Sequence, residues 1–179
     1  GLVDITGAGG LLVQVNGRAA RPVTDWLTQR EQAWRDGIEF VAIDMSGAYA
    51  KAAREALPHA KLIVDRFHLV KKANEMVDRV RRRVTQTYRG RRGHKSDPEW
   101  INRRRLLRAA ERLTDDQRHT LFEKLTCADP NGDIAAAWIA KELLRDVLAC
   151  TDRGGLRYEI GDALYRFYTF CAACSVPEI

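Results

Sequence analysis

The stretch VAIDMSGAYAKAAREALPHAKLIVDRFHLVKKAN, residues 41–74, decides how the rest of the chain is read. Twice within it a short apolar run ends in a carboxylate. Asp44 closes Phe40-Val41-Ala42-Ile43, and Asp65 closes Leu62-Ile63-Val64. Both runs are too short for stable helices and rich in β-branched residues, so they are expected to be buried strands. Between them, Ala48 to Leu57 is dominated by strong helix formers and stops at Pro58. A strand, helix, strand order of this length implies two parallel strands joined by a right-handed crossover.

Upstream, Leu2–Thr6 and Leu11–Val15 read as a hairpin around Gly7-Ala8-Gly9-Gly10. The glycine run is not a phosphate loop, because no Gly-Lys-Ser/Thr follows and no helix begins there. Pro22 to Trp34, with Val23, Trp26, Leu27 and Trp34 among charged residues and Gly37 beyond, predicts one amphipathic helix. From His68 to Phe170 only helical periodicity is found. Asp97-Pro98 offers an N-cap with a first-turn proline, and Thr114 with Gln117 fits a capping box. Over 134–149, Trp138, Ile139, Leu143, Val147 and Leu148 share a face opposite Lys141, Glu142, Arg145 and Asp146. Over 156–171, Leu156, Ile160, Leu164, Phe167, Tyr168 and Cys171 do likewise. The fold class is therefore α/β, a small sheet layer of hairpin plus parallel strands, followed by an all-helical region. The boundary is expected at residue 70, giving segments 1–70 and 71–179.

With 179 residues the chain buries one real core and leaves little room for two full domains. The formal net charge of +6 favours a polyanionic partner. No apolar run approaches the ~20 residues of a membrane span and no secretory signal is seen, so a cytoplasmic protein is expected. Cys171-x-x-Cys174 lacks the second pair of a structural zinc site, and the four cysteines read as small apolar side chains on buried helices. The chain starts without methionine and ends without helix-stop chemistry, and reads as a piece of something longer.

Charge is concentrated. Residues 71–95 hold ten Lys/Arg (Lys71, Lys72, Arg79, Arg81, Arg82, Arg83, Arg89, Arg91, Arg92, Lys95) against Glu75 and Asp78. Arg103, Arg104, Arg105 and Arg108 follow. Like charges this dense repel on an ordinary solvated helix, which points to a phosphate-binding face without base specificity. Asp44 and Asp65 end parallel strands, where ligands of α/β sheets collect. Such carboxylates suit a hard divalent cation held together with substrate phosphate oxygens, although either aspartate could instead cap the following helix. His68, three residues after Asp65, is placed to orient that carboxylate or touch phosphate; His59, His94 and His119 have no partner spacing.

The segment Ala42-Ile43-Asp44-Met45-Ser46, Ala48-Tyr49, Leu57-Pro58-His59-Ala60, Val64-Asp65-Arg66-Phe67-His68-Leu69-Val70-Lys71 and Asn74 resembles the core of DDE-type transposases of bacterial insertion sequences, the ISL-three-like branch. The likeness continues through Val80-Arg81-Arg82 and Leu113-Thr114-x-x-Gln117. It implies an RNase H-like core over 1–70 with a basic helical insertion over 71–179. It further implies cleavage of element ends and strand transfer into double-stranded DNA by a homo-oligomer. The chemistry would use two Mg2+ (or Mn2+) ions held by an Asp, Asp, Glu triad.

Carried over, Asp44 matches the second acid as catalytic residue and metal ligand, and Asp65 and His68 match a supporting D-x-x-H feature. Lys71, Lys72, Arg79, Arg81, Arg82, Arg83, Arg89, Arg91, Arg92, Arg103 and Arg104 would hold DNA. The first triad acid belongs to a strand before the hairpin, and the last to a helix after the insertion. Neither Asp4 nor Glu142, Glu159 or Glu178 matches them, so the segment alone is expected to be inactive. A non-catalytic nucleic-acid-binding module is the alternative; an RNA-directed nuclease of the same fold is disfavoured by the helical insertion and the DRFH stretch.

Overall fold

The computed structural model describes residues 1–6 and 9–179 as two compact units, 1–68 and 69–179. In the first unit, β1 (Leu2–Asp4) and β2 (Gly10–Val13) pair antiparallel. The turn expected at Gly7-Ala8 lies outside the described residues; beside it, Gly9 and Gly10 take φ of 63° and 140°, values that an L side chain resists. β3 (Phe40–Ile43) and β4 (Lys61–Val64) pair parallel with Ile43 opposite Val64, joined by α3 (Gly47–Ala56) as the sequence predicts.

The expected single helix over 22–34 is two, α1 (Ala20–Thr28) and α2 (Gln32–Asp36). Between Leu27 and Trp34 no apolar side chain extends the buried face, and the Thr28 hydroxyl donates back to the Thr24 and Asp25 carbonyls. After the break Trp34 meets the edge of Trp26 at 5.8 Å. Val23 and Leu27 of α1 pack on Ala52, Ala56 and Leu57, with Val41 joining from β3.

That packing covers one side of the parallel pair. Val41 and Ile43 turn toward it, whereas Phe40, Ile63 and Val64 remain exposed. The two strands are thus half-exposed rather than the fully buried strands expected, because the helical layer reaches a single face.

The second unit is helical throughout. α4 (Arg66–Arg89) begins within the first unit's last residues and continues into it. Then come α5 (Pro98–Ile101), α6 (Arg103–Leu106), a 3-10 turn (Ala110–Arg112), α7 (Asp115–Thr126), α8 (Asp133–Asp152) and α9 (Arg157–Ala173). Gly90 ends α4 at φ 64°, its N–H reaching the Gln86 carbonyl. Thr114 and Gln117 form the expected capping box, and Pro98 follows the Asp97 N-cap. Val77, Val80 and Val84 of α4 meet Leu106, Leu121, Leu125, Ile134 and Trp138 in one core, which Val176 of the C-terminal segment completes.

Two periodicity readings need correction. Lys141, expected on the solvated face of α8, is 1% exposed, its ammonium held by the Arg108 carbonyl at 2.6 Å and Glu142 at 2.5 Å. Burial depresses its pKa, the Glu142 carboxylate opposing the shift. Ile139 on α8, Leu156 at the N-cap of α9 and Tyr168 on α9, expected in the core, face solvent. The cysteines are free; Cys127 is exposed and the other three half-buried, against the fully buried sites expected.

Candidate functional site

Register decides the first unit's chemistry. Because Ile43 pairs with Val64, the next residues on each strand, Asp44 and Asp65, leave the sheet at the same carboxyl edge. The Asp65 N–H still donates to the Ile43 carbonyl at 3.0 Å, extending the ladder one step past β4. Asp44 is exposed, and its carboxylate makes no hydrogen bond or ion pair with any described residue. It stands on the wall of a cleft of about 250 Å³ whose other lining is mainly apolar: Leu2, Val15, Val23, Leu27, Val41, Ile43, Tyr49 and Ala53.

Asp65 is engaged. Its Oδ1 accepts the Phe67 N–H at 2.9 Å, capping α4, and its Oδ2 lies 3.9 Å from His68 Nε2. The His68 N–H in turn reaches the Asp65 carbonyl at 3.0 Å, and the ring packs edge-on against Phe67 at 5.5 Å. The cap and the D-x-x-H pair are therefore one arrangement: one carboxylate oxygen holds the helix while the other faces the imidazole.

Among the described residues no group of three or more His, Cys, Asp or Glu side chains is gathered for a metal ion. The donor type nonetheless fits a hard cation. Magnesium is commonly held by one or two carboxylates plus waters and substrate phosphates. The free carboxylate of Asp44 is the group here that offers such a ligand.

In the second unit the eleven candidate DNA-binding cations fall into two classes. Four are tied into internal ion pairs. Arg81 is buried and bonds Asp78 at 2.5 and 3.1 Å, its guanidinium 5.8 Å from the Trp100 ring centre. Arg83 forks onto Glu178 (2.7 and 3.0 Å) and reaches Asp133 at 2.9 Å. Those bonds, Glu178 foremost, raise its pKa further, and Arg83 holds the Glu178 carboxyl below the usual range. Arg89 forks onto Glu99 (2.5 and 3.0 Å), and Arg91 onto Asp97 (2.7 and 2.9 Å). Arg91 first, and then the His94 N–H, hold the Asp97 carboxyl well below the ordinary range.

The remaining cations face solvent or lean on local partners. Lys71, Arg79, Arg92 and Arg104 are exposed and make no side-chain hydrogen bond or ion pair with any described residue. Lys72 bonds Glu75 at 3.0 Å and Arg82 bonds Asp78 at 2.6 Å, both still largely open to water. Arg103 stacks over Trp100 at 4.4 Å and donates to its carbonyl. Along α4, Lys71, Lys72, Arg79 and Arg82 recur at helical spacing on one face, away from Val77, Val80 and Val84. Sequence reading counted Asp78, the partner of Arg81, but missed the acids that neutralise Arg83, Arg89 and Arg91. Of these, Asp97 and Glu99 lie within the basic run's own reach, whereas Asp133 and Glu178 come from 50 and 95 residues away.

A protein-family model described as a transposase, of the ISL-three-type DDE group, matches residues 2–179. No curated protein and no solved structure matches the chain. No helix among the described residues is long and apolar enough to cross a membrane.

Proposed function

The chain belongs to the ISL-three-type family of transposases, and from that premise we propose that it is a central segment of a DDE transposase that cuts insertion-sequence ends and joins them to target DNA. The observation that carries this reading is the free carboxylate of Asp44, which ends a parallel strand beside Asp65 on the wall of a cleft. Asp44 is the metal ligand and catalytic carboxylate. A bound Mg2+ or Mn2+ would supply charge neutralisation at the scissile phosphate. Asp65 and His68 are positioning residues: the capped turn fixes the imidazole beside the strand ends, where it meets phosphate or steadies the neighbouring carboxylate.

DNA is held by the outward cations, Lys71, Lys72, Arg79 and Arg82 on α4 with Arg92, Arg103 and Arg104 beyond it. Their contacts neutralise phosphates and carry no base readout. Arg81, Arg83, Arg89 and Arg91 serve the fold that presents those cations. Within residues 1–179 Asp44 alone matches the catalytic triad, so the segment by itself does not perform strand transfer.

The test is made in the full-length transposase. Asp44→Asn abolishes magnesium-dependent cleavage of element-end DNA and leaves DNA binding and thermal midpoint unchanged, since the side chain is exposed and unpartnered. Undiminished cleavage by the variant would refute the assignment. A non-catalytic DNA-binding module, favoured by the capping role of Asp65, predicts no metal-dependent cleavage by either protein.

A further inference from the structure

Between α4 and α5 runs the loop Gly90-Arg91-Arg92-Gly93-His94-Lys95-Ser96, with three Lys/Arg and no acid. A glycine-flanked basic loop of this kind is expected to be slack, yet this one is held from beneath. Asp97, 4% exposed, gathers it. Arg91 forks onto its carboxylate, the His94 N–H donates to its Oδ2 at 2.6 Å, and the Asp97 N–H returns to the His94 carbonyl at 2.9 Å. Gly93 rests on the floor of the loop. A Cβ there would stand 3.2 Å from Cε3 of Trp100 and 3.6 Å from Cγ2 of the buried Thr85, so the ring would have to give way.

One residue is singled out by this anchoring. The Arg92 carbonyl accepts from Arg91 Nη1 at 3.0 Å, so its backbone is tied down. Its side chain is exposed and makes no hydrogen bond or ion pair with any described residue. Arg91 is spent on holding the loop, and Arg92 is what the loop presents.

A lone guanidinium on a slim, rigid loop differs from the row of cations along α4. Such a row can follow a phosphate backbone, whereas a slim tip can enter a groove. The DNA minor groove is about 6 Å wide against about 12 Å for the major groove, too narrow for a helix. Where A·T runs narrow it further, its negative potential deepens and draws arginine. Guanidinium is more weakly hydrated than ammonium and sheds its water there more readily. A loop already fixed in place adds little ordering cost on binding.

We propose that the 90–96 loop is a groove-shape reader: on DNA held by the α4 cations, Arg92 enters the minor groove and selects narrow, A·T-rich segments. This rests on the DNA-binding reading above and deepens it. Width and potential are read, not base edges, so a preference is added to an otherwise sequence-independent grip.

Fluorescence anisotropy with three duplexes of equal length tests this. They differ only at the centre, which is an A·T run, a G·C run, or that G·C run with inosine in place of guanine. Inosine keeps guanine's major-groove edge and lacks its minor-groove amino group. The wild-type chain is expected to bind the A·T and inosine duplexes alike and the G·C duplex about 5-fold more weakly. Arg92→Ala binds all three equally, with a log–log salt slope lower by about 1. Arg92→Lys keeps the slope and loses the preference. Circular dichroism is unchanged in both, because the side chain is exposed and unbonded. Equal wild-type affinity for the three duplexes, with a steep salt slope, would overturn the inference and leave the phosphate grip standing. So would a preference that survives in either variant, or an inosine duplex that binds like the G·C one, which would give the discrimination to the major groove. Absence of salt-dependent binding to any duplex would overturn the DNA-binding reading itself, and this inference with it.

Discussion

Arg89→Leu strips two charge-assisted hydrogen bonds from Glu99, whose side chain is 1% exposed. A buried carboxylate that loses its partner is worse off than one never paired, and such changes cost about 3–5 kcal/mol. Arg89 itself is 31% exposed, so water partly reaches the vacated site, and the lower end, about 3 kcal/mol, is expected. Removing both charges tells a different story. Arg89→Leu with Glu99→Leu replaces an ion pair by apolar groups, a change usually neutral or mildly favourable, so the double variant should fall within about 1 kcal/mol of wild type. Urea unfolding followed by tryptophan fluorescence and circular dichroism reads both, with the helical unit's transition taken separately because the chain has two compact units. A single variant losing less than about 1 kcal/mol, or a double variant as unstable as the single, would refute the claim that this arginine is spent on the fold.

Two further outcomes follow from the division of the cations. Lys71→Ala with Arg79→Ala removes two unpartnered charges and should lower the salt dependence of DNA binding by about 2 in the log–log slope; Arg83→Met should leave that slope unchanged while reducing stability, and a flattened slope in Arg83→Met would move that residue to the DNA face. Asp97 has its folded pKa pressed below the unfolded one, so its stabilisation is present above the ordinary carboxylate range and lost as pH falls below about 4 toward the folded value. Asp97→Asn should therefore make unfolding stability fall less steeply with acid than in wild type, and equal acid slopes would sink the linkage.

Local signals carried much of this architecture. The two strand ends and the alternation of period between Phe40 and Val64 place Asp44 and Asp65 at one edge from sequence alone, and Thr114 with Gln117 and Asp97-Pro98 mark helix starts. What failed needed distant partners. Arg83 cannot be told from its basic neighbours in the run from Lys71 to Lys95, because its carboxylates Asp133 and Glu178 lie far along the chain. Lys141 reads as solvated from helical phase alone, yet the Arg108 carbonyl, 33 residues away, draws it inward. Tyr168 and Leu156 read as core because periodicity cannot distinguish a face that meets its own chain from one that does not. The break after Thr28 was missed for a related reason: two tryptophans eight residues apart suggest one continuous stripe, and only their edge-to-face contact reveals a fold-back.

The Arg83 fork has a consequence for biosynthesis. Its partner Glu178 is made 95 residues later, and Val176, which completes the same core, emerges just before it. At ~5–20 residues per second on the ribosome, the Arg83 fork and the edge of the core that Val176 closes wait roughly 5–20 seconds for their last partners. Arg81 already has Asp78, and Asp97 and Glu99 follow Arg91 and Arg89 by six and ten residues, so through that interval Arg83 is the fold-paired arginine left open, a spot suited to capture by a chaperone or by any polyanion close to the tunnel exit.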